Sequence, residues 1–268
     1  MNQTDGLDAP TAGNINIEGD DTAAAAVTAT TRLGNYTQIF KKIVVIPGTL
    51  EATSRAGRGR EQAYQKLLKG KALKTDMEMS ALANNAQVAG NATTGREMAG
   101  VPAWLTTNTS TGAGAGADAT GDGSDARTNG TQRAFTESQL KTVLASIYDA
   151  SGKKPDCVFL GSFNKQAASG FTGSSTRLDN GDNSKLTAHV DVYEYDFGAI
   201  RFEPSRHVAS RDALVIATDM WAWADLRPMF DGALAKTGDS EKFHIVAEST
   251  LVCRNELASG GVFDLTTS

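Results

Sequence analysis

Three histidines, two cysteines and a few short signatures are the places where this chain could do chemistry. His189, His207 and His244 form no i, i+4 pair and no H-E-x-x-H, so they do not read as a metal-binding helix face. His189 and His244 fall in strand-like stretches, where a histidine is more often a satisfied face residue than a general base. Asp196-Phe197-Gly198 matches the magnesium tripeptide of kinases, but no H-R-D or V-A-I-K accompanies it, and it reads as a hairpin turn. "GAGAGA" at Gly112–Ala117 lacks both the G-x-G-x-x-G spacing and the flanking strand and helix of a dinucleotide loop. Neither G-x-x-x-x-G-K-[ST] nor G-x-S-x-G is present. The carboxylates of "GADATGDGSD" do not have calcium-loop spacing. Cys157 and Cys253 match no metal or redox motif and read as reduced, buried thiols. A Ser-His-Asp set assembled in space is the remaining catalytic option, which makes a soluble hydrolase one rival reading.

The elements that would have to position such groups do not converge on a site. The chain has 268 residues, enough for one large domain or two smaller ones. Its net charge of −5 argues against a dedicated nucleic-acid reader. No run of about 18 apolar residues is present to span a bilayer, and the N-terminus has no signal-peptide pattern. No cofactor, metal site or membrane partner is expected.

Residues 1–34 carry few large apolar groups and read as a flexible arm that orders only against something else. In "KKIVVIPGTL" the Pro47-Gly48 pair is a turn signal, so Gln38–Ile46 and Thr49–Ser54 are expected to form a long hairpin. The spacing of Tyr64, Leu68, Ala72, Thr75, Met79, Leu82 and Ala86 predicts a helix over 58–89, on the order of 45 Å long. Asn108–Gln132 is Gly- and Asp-rich and reads as a mobile loop. Thr136 and Gln139 have capping-box spacing and open a second helix with Leu140, Val143, Leu144 and Ile147 on its inner face. The rest is strand-rich, and the class is α+β.

One charge cluster stands out: Arg55, Arg58 and Arg60 with the lysines between 66 and 74. A solvated helix face explains it, as does ionic docking onto a neighbouring subunit's acidic surface. Contact with packaged nucleic acid is a minor third option. Trp221 and Trp223 fit core packing better than an interface.

The order of these segments resembles the major capsid protein of tailed bacteriophages, the Hong Kong 97 type of fold. The resemblance is carried by "NYTQIFKKIVVIPGTLEATSRAGRGREQAYQ", "AGNATTGREMAGVPAWL", "SFNKQAASGFT", "HVDVYEYDFGAIRFEP", "LRPMFDGALAKTGDSEKF" and "ESTLVCRNELASGGVFDLTT". It implies an N-terminal arm over 1–34 and an extended loop over 35–56 that lies on the adjacent subunit. It further implies a peripheral domain over 57–134 and 236–268, built on a long spine helix and holding the Gly-rich loop as an exposed insertion. An axial domain over 135–235 would surround the symmetry axes. Tyr36, Phe40, Lys41, Lys42 and Glu51 on the loop, with Arg55, Arg58 and Arg60, are then the expected subunit interface. Gly57 and Gly59 are the expected hinge. The implied partners are further copies of the chain in pentamers and hexamers, a separate scaffolding protein, a portal, a decoration protein and non-specifically enclosed double-stranded DNA. The chain would assemble in the host cytoplasm and end in the virion. Some relatives cross-link through Lys and Asn; Lys41 and Lys42 are the candidates here, and a non-covalent mesh is expected. An encapsulin-like protein compartment is the rival within the same fold.

Overall fold

A computed structural model describes residues 2–3, 12–13, 15–19, 21, 32–53, 57, 59–114, 116–171 and 191–268. The chain opens with two short strands, β1 (Asn2–Gln3) and β2 (Arg32–Leu33), then the longer β3 (Gln38–Pro47). Helices α1 (Gly48–Ala52) and α2 (Glu61–Leu82) follow, then β4 (Thr109–Ser110). The middle holds α3 (Glu137–Ser151), β5 (Cys157–Leu160) and α4 (Ser162–Ser169). Next come β6 (Val192–Tyr195), β7 (Gly198–Pro204) and β8 (Ala213–Ile216). The long strands β9 (Trp221–Ala233) and β10 (Ser240–Cys253) and the short β11 (Gly260–Val262) complete an α+β molecule.

A mixed six-stranded sheet, in the order β4-β11-β8-β5-β7-β6, carries the central core. Strand β8 reads Ala-Leu-Val-Ile and is buried throughout, because both faces of the sheet are covered there. Ala213 and Val215 face a core shared with Leu140, Val143, Leu144 and Ile147 of α3. Leu214 and Ile216 face the other way, toward Leu73 and Leu82 of α2 and Ile245 and Leu251 of β10. The capping box that starts α3 is formed: the Gln139 N–H donates to Thr136 Oγ1 (3.4 Å), and the Thr136 N–H donates to Gln139 Oε1 (3.1 Å). Gly152 ends the helix with φ of 64°. Cys157 and Cys253 are free and buried, as read from the sequence, and desolvation pushes both thiols up to about 12. Trp221 and Trp223 pack against the second core.

The second sheet has three antiparallel strands in the order β3-β10-β9. Its pairing corrects the expected hairpin. β3 runs against β10 from Gln38 opposite Ser249 to Pro47 opposite Ser240, and Gly48–Ala52 is helical. A full-length ladder with β10 satisfies more backbone groups than the short stretch after Pro47-Gly48 could. Leu186, Ala188 and Val190 of the strand read before the Asp196-Phe-Gly turn lie outside the described residues, as does His189. The turn itself is formed between β6 and β7.

Helix α2 spans 22 residues, about 33 Å, and is shorter than the 58–89 expected because Ala83 is already extended. It also faces differently. Leu73, Met77 and Ala81, an i, i+4, i+8 row, meet the core, whereas Tyr64, Leu68 and Met79 of the expected stripe are exposed. Two rows of apolar residues compete for the inward position; the packing favours the one that sequence spacing did not, and keeps only Leu82 of the expected stripe among the buried core residues.

Sheet membership also redraws the expected domains. Residues 221–233, read as axial, pair with β10; residues 260–262, read as peripheral, join the six-stranded sheet beside β8.

The Gly-rich stretch Asn108–Gln132 departs furthest from its reading as a mobile insertion. Its Arg127 is buried against the ring of Phe263 (4.0 Å) and pairs with Asp264 (3.3 Å). Asp264 also accepts backbone N–H bonds from Gly112 (3.0 Å) and Gly130 (2.7 Å). A Cβ on Gly112 would stand 2.1 Å from the Thr131 carbonyl oxygen. These glycines permit close backbone approach.

Candidate assembly surfaces

Residues opposed in an antiparallel ladder share a face. Phe40, Val44 and Ile46 of β3 therefore point with Phe243 and Ile245 toward α2, and all three are buried. Two ion pairs fix the helix to this inner face. Lys42 binds Asp76, and Lys66 binds Asp231 (2.7 Å) while its ammonium sits 4.1 Å from the centroid of the Phe243 ring. Ile39, Ile43 and Val45 point the other way and are 48%, 49% and 53% exposed. Phe230 shares that outer face through its pairing with Val246, and its ring meets His244 edge-on at 6.2 Å.

At one end of the sheet Glu248, itself buried, accepts from Thr37 (2.9 Å), Arg96 (2.6 Å) and Arg227 (2.7 Å). Burial pushes this carboxyl upward, but the Thr37 and Arg227 hydrogen bonds and the two guanidiniums outweigh it and hold Glu248 below the usual range. At the other end the chain turns back on itself. The Gly48 N–H donates to the Asp239 carbonyl (3.1 Å); Glu51 binds Arg60 (2.9 Å) and accepts the Gln62 N–H (3.2 Å).

The expected interface residues are thus dispersed. Phe40 belongs to the chain's own core, with its ring 6.5 Å from Trp223. Lys42, Glu51 and Arg60 are engaged within the chain. Tyr36 and Lys41 are exposed. Arg55 and Arg58 lie outside the described residues. Gly57 has φ of 85°, and a Cβ at Gly57 or Gly59 would meet open space. The outward isoleucines of β3 were missed by the sequence reading, although "IFKKIVVI" announces them: apolar residues stand at both odd and even positions. The Glu248 clamp had no sequence signal, because its arginines are 152 and 21 positions away.

A catalytic set does not come together where it is best provided for. An open groove of about 490 Å³ between α2 and the β7–β8 connection holds Glu78, Ser205 and His207. Ser205 Oγ donates to Glu78 (3.1 Å), and His207 meets that oxygen through its backbone N–H (3.2 Å), so no imidazole activates the serine. Among the described residues no three His, Cys, Asp or Glu side chains gather as metal ligands, and no helix is long and apolar enough to cross a membrane.

The comparisons with known proteins give one family and one fold. The SU10 major capsid protein family matches residues 2–266. A major capsid protein of Escherichia phage Phieco32 is 25% identical over 300 aligned positions, which cover 97% of this chain and 84% of that protein. The cyanophage A-1(L) capsid protein superposes with a TM-score of 0.62 at 10% identity, covering 100% of this chain and 86% of that one. The SrpI encapsulin of Synechococcus elongatus superposes at 0.55 with 8% identity, covering 87% and 75%. Both superpositions show the Hong Kong 97-like fold. The chain belongs to the SU10 major capsid protein family and is a self-associating subunit of a phage capsid shell.

Proposed function

We propose that this chain closes into an icosahedral shell of pentamers and hexamers around double-stranded DNA, and that it carries no catalytic activity of its own. The family match over residues 2–266 carries the reading. In this reading the three-stranded sheet with α2 is the peripheral part, and the six-stranded sheet with α3 and α4 is the axial part. Ring contacts around an axis are head-to-tail and close on themselves. Tyr36, Lys41 and Arg60 are exposed members of the expected interface, Arg55 and Arg58 are its further members by sequence, and Gly57 and Gly59 are the joint between α1 and α2. A separate scaffolding protein, a portal and a decoration protein would act during assembly in the host cytoplasm; decoration proteins accompany the capsid of phage G, whose fold is similar. The acidic balance of the chain keeps its hold on DNA weak and non-specific.

Purified particles test this directly. Closed shells holding nuclease-protected double-stranded DNA are the expected result. Shells filled with protein cargo would favour the encapsulin-like reading, and a dispersed chain under assembly conditions would overturn both.

A further inference from the structure

The knot around Asp264 also holds a reactive dipeptide. Asn129-Gly130 is one of two Asn-Gly pairs in the chain; the other, Asn180-Gly181, lies outside the described residues. Packing requires glycine at 130. A Cβ there would stand 3.0 Å from Asp264 Oδ2 and 3.1 Å from the Gly112 and Ala113 carbonyl oxygens, and one on Gly116 would stand 2.6 Å from the Gly130 nitrogen. The close approach that packs this stretch thus leaves the residue after Asn129 without a side chain. An asparagine followed by glycine is the pair most open to ring closure, because nothing screens the following nitrogen from the asparagine amide.

Ring closure at this pair has a defined course. Hydroxide removes the Gly130 amide proton, and the nitrogen attacks Asn129 Cγ. The N–Cγ bond forms, the Cγ–Nδ2 bond breaks, and Nδ2 takes a proton from water and leaves as ammonia. Water then opens the cyclic imide at either carbonyl to give aspartate or isoaspartate. Asn129 is exposed, so water reaches it. The backbone around it is pinned. The Gly130 N–H donates to Asp264 Oδ1 (2.7 Å), and the Gly130 carbonyl accepts from Arg211 Nη2 (2.5 Å). On either side the Thr131 N–H donates to the Ala113 carbonyl (2.8 Å) and the Thr128 N–H to the Ala117 carbonyl (2.9 Å). Arg127 Nη1 donates to Asn129 Oδ1 (3.3 Å) and holds the side chain as well. Asp264 is fully buried and stands at φ of 61°. Hydrogen bonds to a carboxylate or from a guanidinium are the strong ones.

We propose that Asn129-Gly130 is a latent self-modification site, held unreacted by the Asp264 knot and released to succinimide and isoaspartate when the knot opens. The nitrogen cannot turn onto Asn129 Cγ while its N–H is given to Asp264, so the rate follows the fraction of chains in which the knot is open. The product is a one-way mark. Isoaspartate carries the main chain through the former side chain and adds one carbon ahead of Gly130. That displaces Gly130 relative to Asp264 and Arg211, and the knot does not re-form in its original register. Chains that have stayed open are thereby set apart from chains that have stayed closed.

The test incubates the full, unassembled chain at mildly alkaline pH, folded and in guanidinium chloride, and follows residue 129 by mass spectrometry. Trypsin cleavage after Arg127 and Arg133 isolates Thr128–Arg133, which holds no other asparagine. Loss of Asn129 is expected to be at least about tenfold slower in the folded chain. Asp264→Gly removes the carboxylate and still accepts the positive φ. With its cooperative melt retained, this variant is expected to lose Asn129 at least about tenfold faster than the folded parent. Equal rates in the folded and denatured parent, or full protection in folded Asp264→Gly, would overturn the proposal. Arg211→Gln, which frees the Gly130 carbonyl at a partly exposed position, is the second variant should the glycine chain not fold. It is expected to shorten the lifetime of Asn129 severalfold, and an unchanged lifetime would equally overturn the proposal.

Discussion

Replacing Asp212 by asparagine probes the least comfortable charge in the molecule. Asp212 is 3% exposed, its Oδ1 has no hydrogen-bond partner, and its nearest cation, Arg127 Nη1, is 3.9 Å away. Burial lifts its carboxyl from 3.8 to about 6, against the pull of Arg127 and Arg211 and with the repulsion of Asp264 added. At about 1.4 kcal/mol per tenfold change in acidity, ionised Asp212 costs the folded chain about 3 kcal/mol. Because the folded value lies above the unfolded one, the stability contributed by protonated Asp212 is complete below 3.8 and is lost as pH rises through about 6. Asp212→Asn removes this dependence. Denaturant melts of the unassembled parent and variant are to be compared at about pH 4 and about pH 8. The variant should gain about 2 kcal/mol on the parent between the two conditions, because the unfolded chain is already partly ionised at about pH 4, whatever constant offset an asparagine amide introduces. Asp264 titrates in the opposite sense, because hydrogen bonds from Gly112 and Gly130 and the Arg127 charge overcome its burial, and it does so in both chains. A difference between the chains that does not change with pH would refute the reasoning.

Glycine packing gives a sharp contrast: a Cβ on Gly100 would stand 2.0 Å from the Ala83 carbonyl oxygen, whereas one on Gly95 meets open space. Gly100→Ala should cost about 3 kcal/mol in a denaturant melt, and Gly95→Ala should stay within about 0.5 kcal/mol of the parent. Glu248→Ala strands two arginines that are each nearly half exposed, so its cost should be about 2 kcal/mol, read the same way. Phe40→Ala should lower chain stability by about 3 kcal/mol, as a core truncation does. Reversing Arg60 to glutamate should turn its bond to Glu51 into a repulsion and weaken assembly most at low salt, read by light scattering across a salt series; equal assembly at all salts would return Arg60 to a solvated role.

Legibility in the sequence followed the range of the interactions. The α3 capping box, its inner face and the turn after β6 are local devices, and each formed where spacing placed it. The continuous apolar run of β8 announced cover on both faces. The fold type was read from whole segments rather than from periodicity. What misled was chemistry with two possible uses. Pro47-Gly48 ends a strand as readily as it makes a hairpin, and only β10, some 200 positions on, decides between them. Glycines in low-complexity sequence look like slack, yet those of 108–132 allow the backbone to crowd around Asp264. Lys66 looks like part of a solvated or docking cluster, and Lys42 like a loop residue reaching a neighbour, until Asp231 and Asp76 are folded beside them.

Strand β10 lies between an early strand and a late one, with Phe40 opposite Ala247 and Thr250 opposite Ala224. During translation, at about 5–20 residues per second, β3 leaves the ribosome about 10–40 seconds before its ladder partner exists. The sheet that holds α2 therefore closes only when nearly all of the described chain has emerged. Until then β3 has neither edge paired, so the nascent polypeptide carries an open apolar strand for most of its synthesis.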